Sequence, residues 1–125
     1  MASVPAGKQV QGIDLRENRT WAMRQDSSGS TLAKIAGLAG EHRLIVLEGP
    51  AAGESSPQDT VTEETVTVWE VDMTNGHAQR LGTLTLPGPS DYAQLVRPAG
   101  VDAHHLYVYA RGGSGSGTLT AYRLP

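Results

Sequence analysis

Apolar and polar residues alternate along this chain in short runs. In Thr65-Val66-Thr67-Val68-Trp69-Glu70-Val71-Asp72, Val66 and Val68 fall on one side and Thr65, Thr67, Trp69 and Val71 on the other. Leu81 to Leu86 and Thr118 to Leu124 follow the same rule. A period of two, carried by Val, Thr, Tyr and Trp, predicts β-strands. Arg43 to Leu47 and Leu106 to Ala110 are nearly continuous apolar runs instead. Runs of that length predict strands covered on both faces. Ser30 to Gly40 carries Leu32, Ile35 and Leu38 at a helix-like spacing. It is short and contains Gly37, so it is read as a strand and a loop. Asn75-Gly76 marks a tight turn, Pro87-Gly88-Pro89 a strand end, and Gly112 to Gly117 a flexible tract.

The order of these runs repeats. Leu32 to Gly40 aligns with Tyr92 to Gly100, and His42 to Leu47 with His104 to Tyr109. Val66 to Val71 aligns with Leu119 to Leu124, which sets Trp69 against Tyr122. Arg19 to Arg24 precedes the first set and Leu81 to Leu86 the second. The chain is therefore expected to be a single domain, residues 1–125, with two four-stranded repeats at about 15–72 and 73–125. A third echo links Gly12-Ile13-Asp14-Leu15 with Glu70-Val71-Asp72-Met73. It makes Lys8 to Asp14 an orphan strand ahead of the two units.

A repeated antiparallel meander, with a strand ending in Val71-Asp72, a turn, and then Leu81-Gly82-Thr83-Leu84, resembles the blade of a β-propeller. The resemblance runs from Lys8 to Leu124 and is one of architecture. Trp69-Glu70-Val71-Asp72 is not the Trp-Asp dipeptide of WD40 blades, and the second strand of each unit lacks the double glycine of kelch blades. The expected class is all-β and propeller-like, with a single β-sandwich as the alternative. Propellers close with about 4 to 8 blades. The resemblance thus implies that a complete two-blade chain recruits copies of itself, as a trimer or tetramer, or joins a complementary propeller chain. The orphan strand would then complete a neighbour's blade by backbone pairing.

Composition narrows the chemistry. Leu, Val and Ile make up a fifth of the 125 residues, at the lower limit for a packed core, but a net charge of −3 does not favour disorder. There is no cysteine, which excludes disulfides and thiolate chemistry. No basic excess and no long apolar run occur, so neither nucleic acid nor membrane is expected as a partner.

The four histidines, His42, His77, His104 and His105, form no zinc-type spacing. His104 and His105 are adjacent in a strand and point apart, while His42 and His104 share a repeat position that suggests a structural task. No Gly-x-Ser-x-Gly elbow, phosphate loop or His-Glu-x-x-His motif occurs. No enzyme activity, catalytic residue, cofactor or metal ligand is expected. The segment from Glu48 to Glu64 is acidic and lacks Lys and Arg; its Glu54, Asp59, Glu63 and Glu64 are a candidate contact surface, and Trp21 is a fifth candidate residue. Asn18-Arg19-Thr20 fits the glycosylation triplet.

The leading functional expectation is a self-assembling structural or interaction module that builds a ring or shell, as a particle or virion subunit would. One alternative is a lectin-like module that stacks glycans on Trp21 or Tyr107. Another is a fragment of a larger propeller enzyme.

Overall fold

The computed structural model describes residues 2–3, 10–14, 19–22, 31–50, 63–87, 96–111 and 117–125. The described residues form ten strands and no helix. The first sheet joins β1 (Ala2–Ser3), β2 (Gln11–Asp14) and β3 (Arg19–Ala22). The central sheet joins β4 (Thr31–Leu38), β5 (Arg43–Pro50), β6 (Glu63–Asp72) and β7 (Ala78–Pro87). The third sheet joins β8 (Val96–Val101), β9 (His105–Arg111) and β10 (Gly117–Arg123). Every pairing is antiparallel and between strands consecutive in sequence.

The chain is all-β with repeated antiparallel units, and the helical spacing of Ser30 to Gly40 resolves as strand β4. The sheet boundaries lie one strand later than expected. Arg19–Ala22 does not open the central sheet; it closes the first one, beside β2. Ala78–Pro87 likewise closes the central sheet against β6 and does not begin the next. The reason is local. Gly76, at φ 78°, allows a tight reversal in which Asp72 and His77 are bonded N–H to carbonyl, which forces β6 and β7 into one hairpin. Gln11–Asp14 is no orphan, because it pairs with β1 on one side and β3 on the other.

β5 shows why the continuous apolar run is needed. Leu44 and Val46 face the first sheet and pack with Val10, Trp21 and Val71. Ile45 and Leu47 face the third sheet and pack with Val68, Val96, Leu106 and Val108. Successive residues of a strand point to opposite sides, so a strand between two sheets must be apolar at every position. All four of these β5 residues are buried. The central sheet is thus the middle layer of three, which differs from a two-sheet sandwich.

The ladders also fix the alignment of the two units. Gly37 pairs with Ile45 and Gly100 with Tyr107, each just after a β-bulge. Gly37 and Gly100 are therefore equivalent, in place of the Gly40 and Gly100 that the sequence alignment sets together. Both hold φ values, 148° and 157°, that favour glycine. In the last strands Asp72 pairs with Arg43 and Arg123 with His105, so Trp69 corresponds to Thr120 and Val71 to Tyr122. That is a slip of two residues, which keeps every side chain on its expected face.

The central and third sheets approach closely along β4 and β8. A Cβ at Gly37 would lie 3.5 Å from Cβ of Val101, and the Lys34 ammonium donates to the Val96 carbonyl. Gly37→Val should destabilise the fold by ~1–3 kcal/mol through backbone strain alone. Chemical denaturation of the variant measures this; an unchanged midpoint would show that β4 tolerates a side chain there.

Candidate interaction surface

Antiparallel partners share a face, so the ladders assign each side of the third sheet. Leu106, Val108 and Val96 point into the core against the central sheet. Tyr107, Tyr109, Leu119, Ala121 and Arg97 point the other way. Their equivalents in the central unit are Ile45, Leu47, Val68, Glu70 and Lys34. Ile45 and Leu47 are fully buried, whereas Tyr107 is half-buried and Tyr109 exposed. Val68 is 5% exposed and Leu119 63%. Extending the register of the third echo to β2 adds Val10, 1% exposed, to the same position. Gly100 has nothing within 4 Å where Gly37 meets Val101. One face of one sheet therefore carries Tyr107, Tyr109 and Leu119, bordered by Arg97, Arg111, Arg123 and His105, at positions whose counterparts Ile45, Leu47 and Val68 are buried in the preceding unit.

The sides of this face are held in place. The ring of Tyr109 lies across Gly117, where an added Cβ would fall within 2.0 Å of its phenolic oxygen. The Tyr107 hydroxyl donates to Oδ2 of Asp102 at 2.9 Å. Oδ1 of Asp102 accepts from the backbone N–H of His104 at 2.8 Å and of His105 at 2.7 Å. These bonds, the His104 amide first and the Tyr107 hydroxyl second, lower the Asp102 pKa from 3.8 to about 2. The same carboxylate raises the Tyr107 phenol above its usual 10.

The linkage has a defined sign. A carboxyl depressed in the folded state contributes stability in full above 3.8, and that contribution fades as pH falls through about 2. Asp102→Ala should therefore differ from the parent above pH ~4 and converge with it near pH ~2. A carboxyl titration followed by NMR checks the premise, since a midpoint at 3.8 or higher would rule it out.

A second, polar feature lies at the turn end of the central sheet. A cleft of about 310 Å³ is lined by His42, Arg43, Glu70, Asp72, His77 and Gln79. Arg43 Nε donates to Glu70 Oε1 at 2.6 Å, and its Nη2 donates to the Pro125 carbonyl at 3.1 Å. Asp72 accepts from the hydroxyl and the amide of Thr74, which lower its pKa; the nearby His42 and His77 act in the same direction. These groups tie the β6–β7 turn together. Among the described residues no three His, Cys, Asp or Glu side chains are grouped to hold a metal ion. The kinship of His42 and His104 is expressed through the backbone, where their carbonyls accept from Met73 and Leu124 at 2.8 and 2.7 Å.

Trp21 is not part of an exposed surface. It is 7% exposed and packs on the central sheet, where a large aromatic ring buries more apolar area than any other residue could. Glu63 and Glu64 start β6, in register with Pro87 and Leu86. Glu54 and Asp59, like Asn18 and the tract 112–116, lie outside the described residues. Glu48 is buried in β5 and so does not belong to an acidic surface.

Of this face the sequence reading reached only Tyr107, as a glycan-stacking candidate, because Tyr109 and Leu119 look like core residues. The available signal was a difference between units: tyrosines stand where the first unit has Ile45 and Leu47. Tyrosine suits a face that is solvated in one state and covered in another, since its rim carries a polar group.

No protein family, curated protein or solved structure matches the chain.

Proposed function

We propose that this protein is a non-enzymatic, self-assembling module whose copies stack sheet upon sheet in a propeller-like series. The observation that supports this reading is the exposure of Leu119 and Tyr109 at positions where Val68 and Leu47 are buried in the unit before. The central sheet demonstrates what such a surface does when a neighbour is present: it packs a sheet against it. Repeated units of this kind bury their apolar faces on one another, so an open terminal face favours addition of a further unit. The polar groups around the face suit assembly as well. Arg97 occupies the position of Lys34, whose ammonium bonds a carbonyl of the adjoining sheet. Arg97 would reach the equivalent carbonyl of a second copy, that of Ala33.

The glycan-stacking alternative loses its first anchor with the burial of Trp21. The decisive experiment is the mass of the unaltered chain in solution, by sedimentation equilibrium or native mass spectrometry. A discrete trimer or tetramer supports a closed ring. A monomer at high micromolar concentration would overturn the proposal.

A further inference from the structure

The third sheet has three strands where the central sheet has four. In the central sheet β7 covers the outer edge of β6 along Glu63 to Val71. The matching edge of β10 has no strand beside it among the described residues. Leu124 donates its N–H to the His104 carbonyl, so by pleat alternation the N–H groups of Leu119, Ala121 and Arg123 point to the free edge. Along Gly117 to Tyr122 that edge carries no charge and no proline; its guards are confined to the C-terminal end, at Arg123 and Pro125. Other edges carry them, with Lys34 and a bulge on β4, Arg97 and Pro98 on β8, and Arg80 and Pro87 on β7.

Apolar side chains stand beside the end of β10. A cleft of about 150 Å³ separates its C-terminal end from β7, with Leu81, Leu84, Val68 and Tyr122 in its walls. Leu81 and Leu84 are only partly buried there.

Among the described residues one strand has the right placement. β3 stands to β4 as β7 stands to β8: each is followed by eight residues, 23–30 and 88–95, and then by the first strand of the next sheet. Each also packs on that next sheet, β3 through Trp21 and β7 through Leu81 and Leu84. Within its own chain β3 is paired by β2, a strand of four residues, itself edged by the two residues of β1. Beneath this small sheet the buried indole N–H groups of Trp21 and Trp69 have no acceptor among the described residues.

We infer that β10 of one copy replaces β2 beside β3 of the next, so that β8, β9, β10 and the partner's β3 form one four-stranded sheet. β2 is then a self-cap that holds the place of β10 until a second copy arrives. The exchange puts Leu119 where Val10 sits in the single chain, and sets Thr120 to Arg123 against the four residues of β3 that β2 pairs now. The inference rests on the proposed self-assembly and specifies its joint.

The register follows from the pairings on the page. β2 aligns with β6 at Asp14 and Asp72, and β6 with β10 at Asp72 and Arg123, so Ala22 of one copy should oppose Thr120 of the other. The chain has no cysteine, so Ala22→Cys and Thr120→Cys can each be introduced singly and the two proteins mixed under mild oxidation. A mixed disulfide dimer forming in large excess over either homodimer is expected, and Ala121→Pro in the Thr120→Cys chain should abolish it while leaving the β9–β10 ladder intact. An assembled protein that gives no mixed disulfide would overturn the exchange and leave self-assembly standing. A chain that does not assemble at all would remove both. Crosslinking unaffected by Ala121→Pro would show that the contact is not made along this edge, and would equally refute it.

Discussion

Leu47→Ala should destabilise the protein by about 2–5 kcal/mol, the range for truncating a fully buried leucine. Leu47 is 0% exposed and lies between β6 and the third sheet, with Val68, Leu106 and Val108 in the same cluster. Removing its side chain opens a cavity shared by two sheets, so neither can close it alone. Leu119→Ala makes the matching control. Leu119 is related to Val68 by the repeat and is 63% exposed, so its truncation should change monomer stability by less than ~0.5 kcal/mol. Urea titrations of both variants at a dilution that keeps the chain monomeric provide the comparison. Equal losses would mean that the third sheet does not pack on the central one as described.

Leu119→Asp should abolish assembly without unfolding the chain. In the monomer the carboxylate stands in water, where it costs little. In an assembly it would be buried against a second sheet with no partner, a penalty of several kcal/mol. Sedimentation velocity should show the parent in its assembled form and the variant as a monomer, with unchanged far-UV circular dichroism. Val68→Asp, at the equivalent buried position, is expected to fail to fold. An assembled Leu119→Asp variant would disconnect this face from self-association. The two substitutions together separate burial inside a chain from burial between chains, which is the distinction on which the proposed function stands.

The strand exchange gives a physical use to the small first sheet. β1 and β2 supply few backbone pairs, yet Val10 and Trp21 cover the Leu44 and Val46 face of β5. A short cover of this kind shields an apolar face, and in the proposed exchange β10 would displace it in the same register. Edge strands left open without a charge or proline are otherwise sites of aggregation.

Much of the architecture was readable from residue order. Alternation in Thr65 to Asp72 and continuity in Arg43 to Leu47 report, respectively, a strand with two unlike faces and a strand between two layers, because side-chain direction along a strand has a period of two. Asn75-Gly76 determined a tight reversal, since only a residue tolerant of positive φ fits there. The duplication was legible for the same reason that its units fold alike. Three matters were decided by tertiary structure alone. Whether Arg19–Ala22 and Ala78–Pro87 open a sheet or close one depends on which neighbour their backbone groups meet, and a strand pattern carries no mark of its partner. The alignment of Gly37 with Gly100, three residues from the Gly40–Gly100 match, is set by where each strand bulges before it meets the next, which composition does not mark. Finally, Leu119 and Val68 are equally apolar in sequence and differ only in whether another sheet lies above them. Burial is a property of what surrounds a side chain, and in the third sheet the described residues leave that surround open.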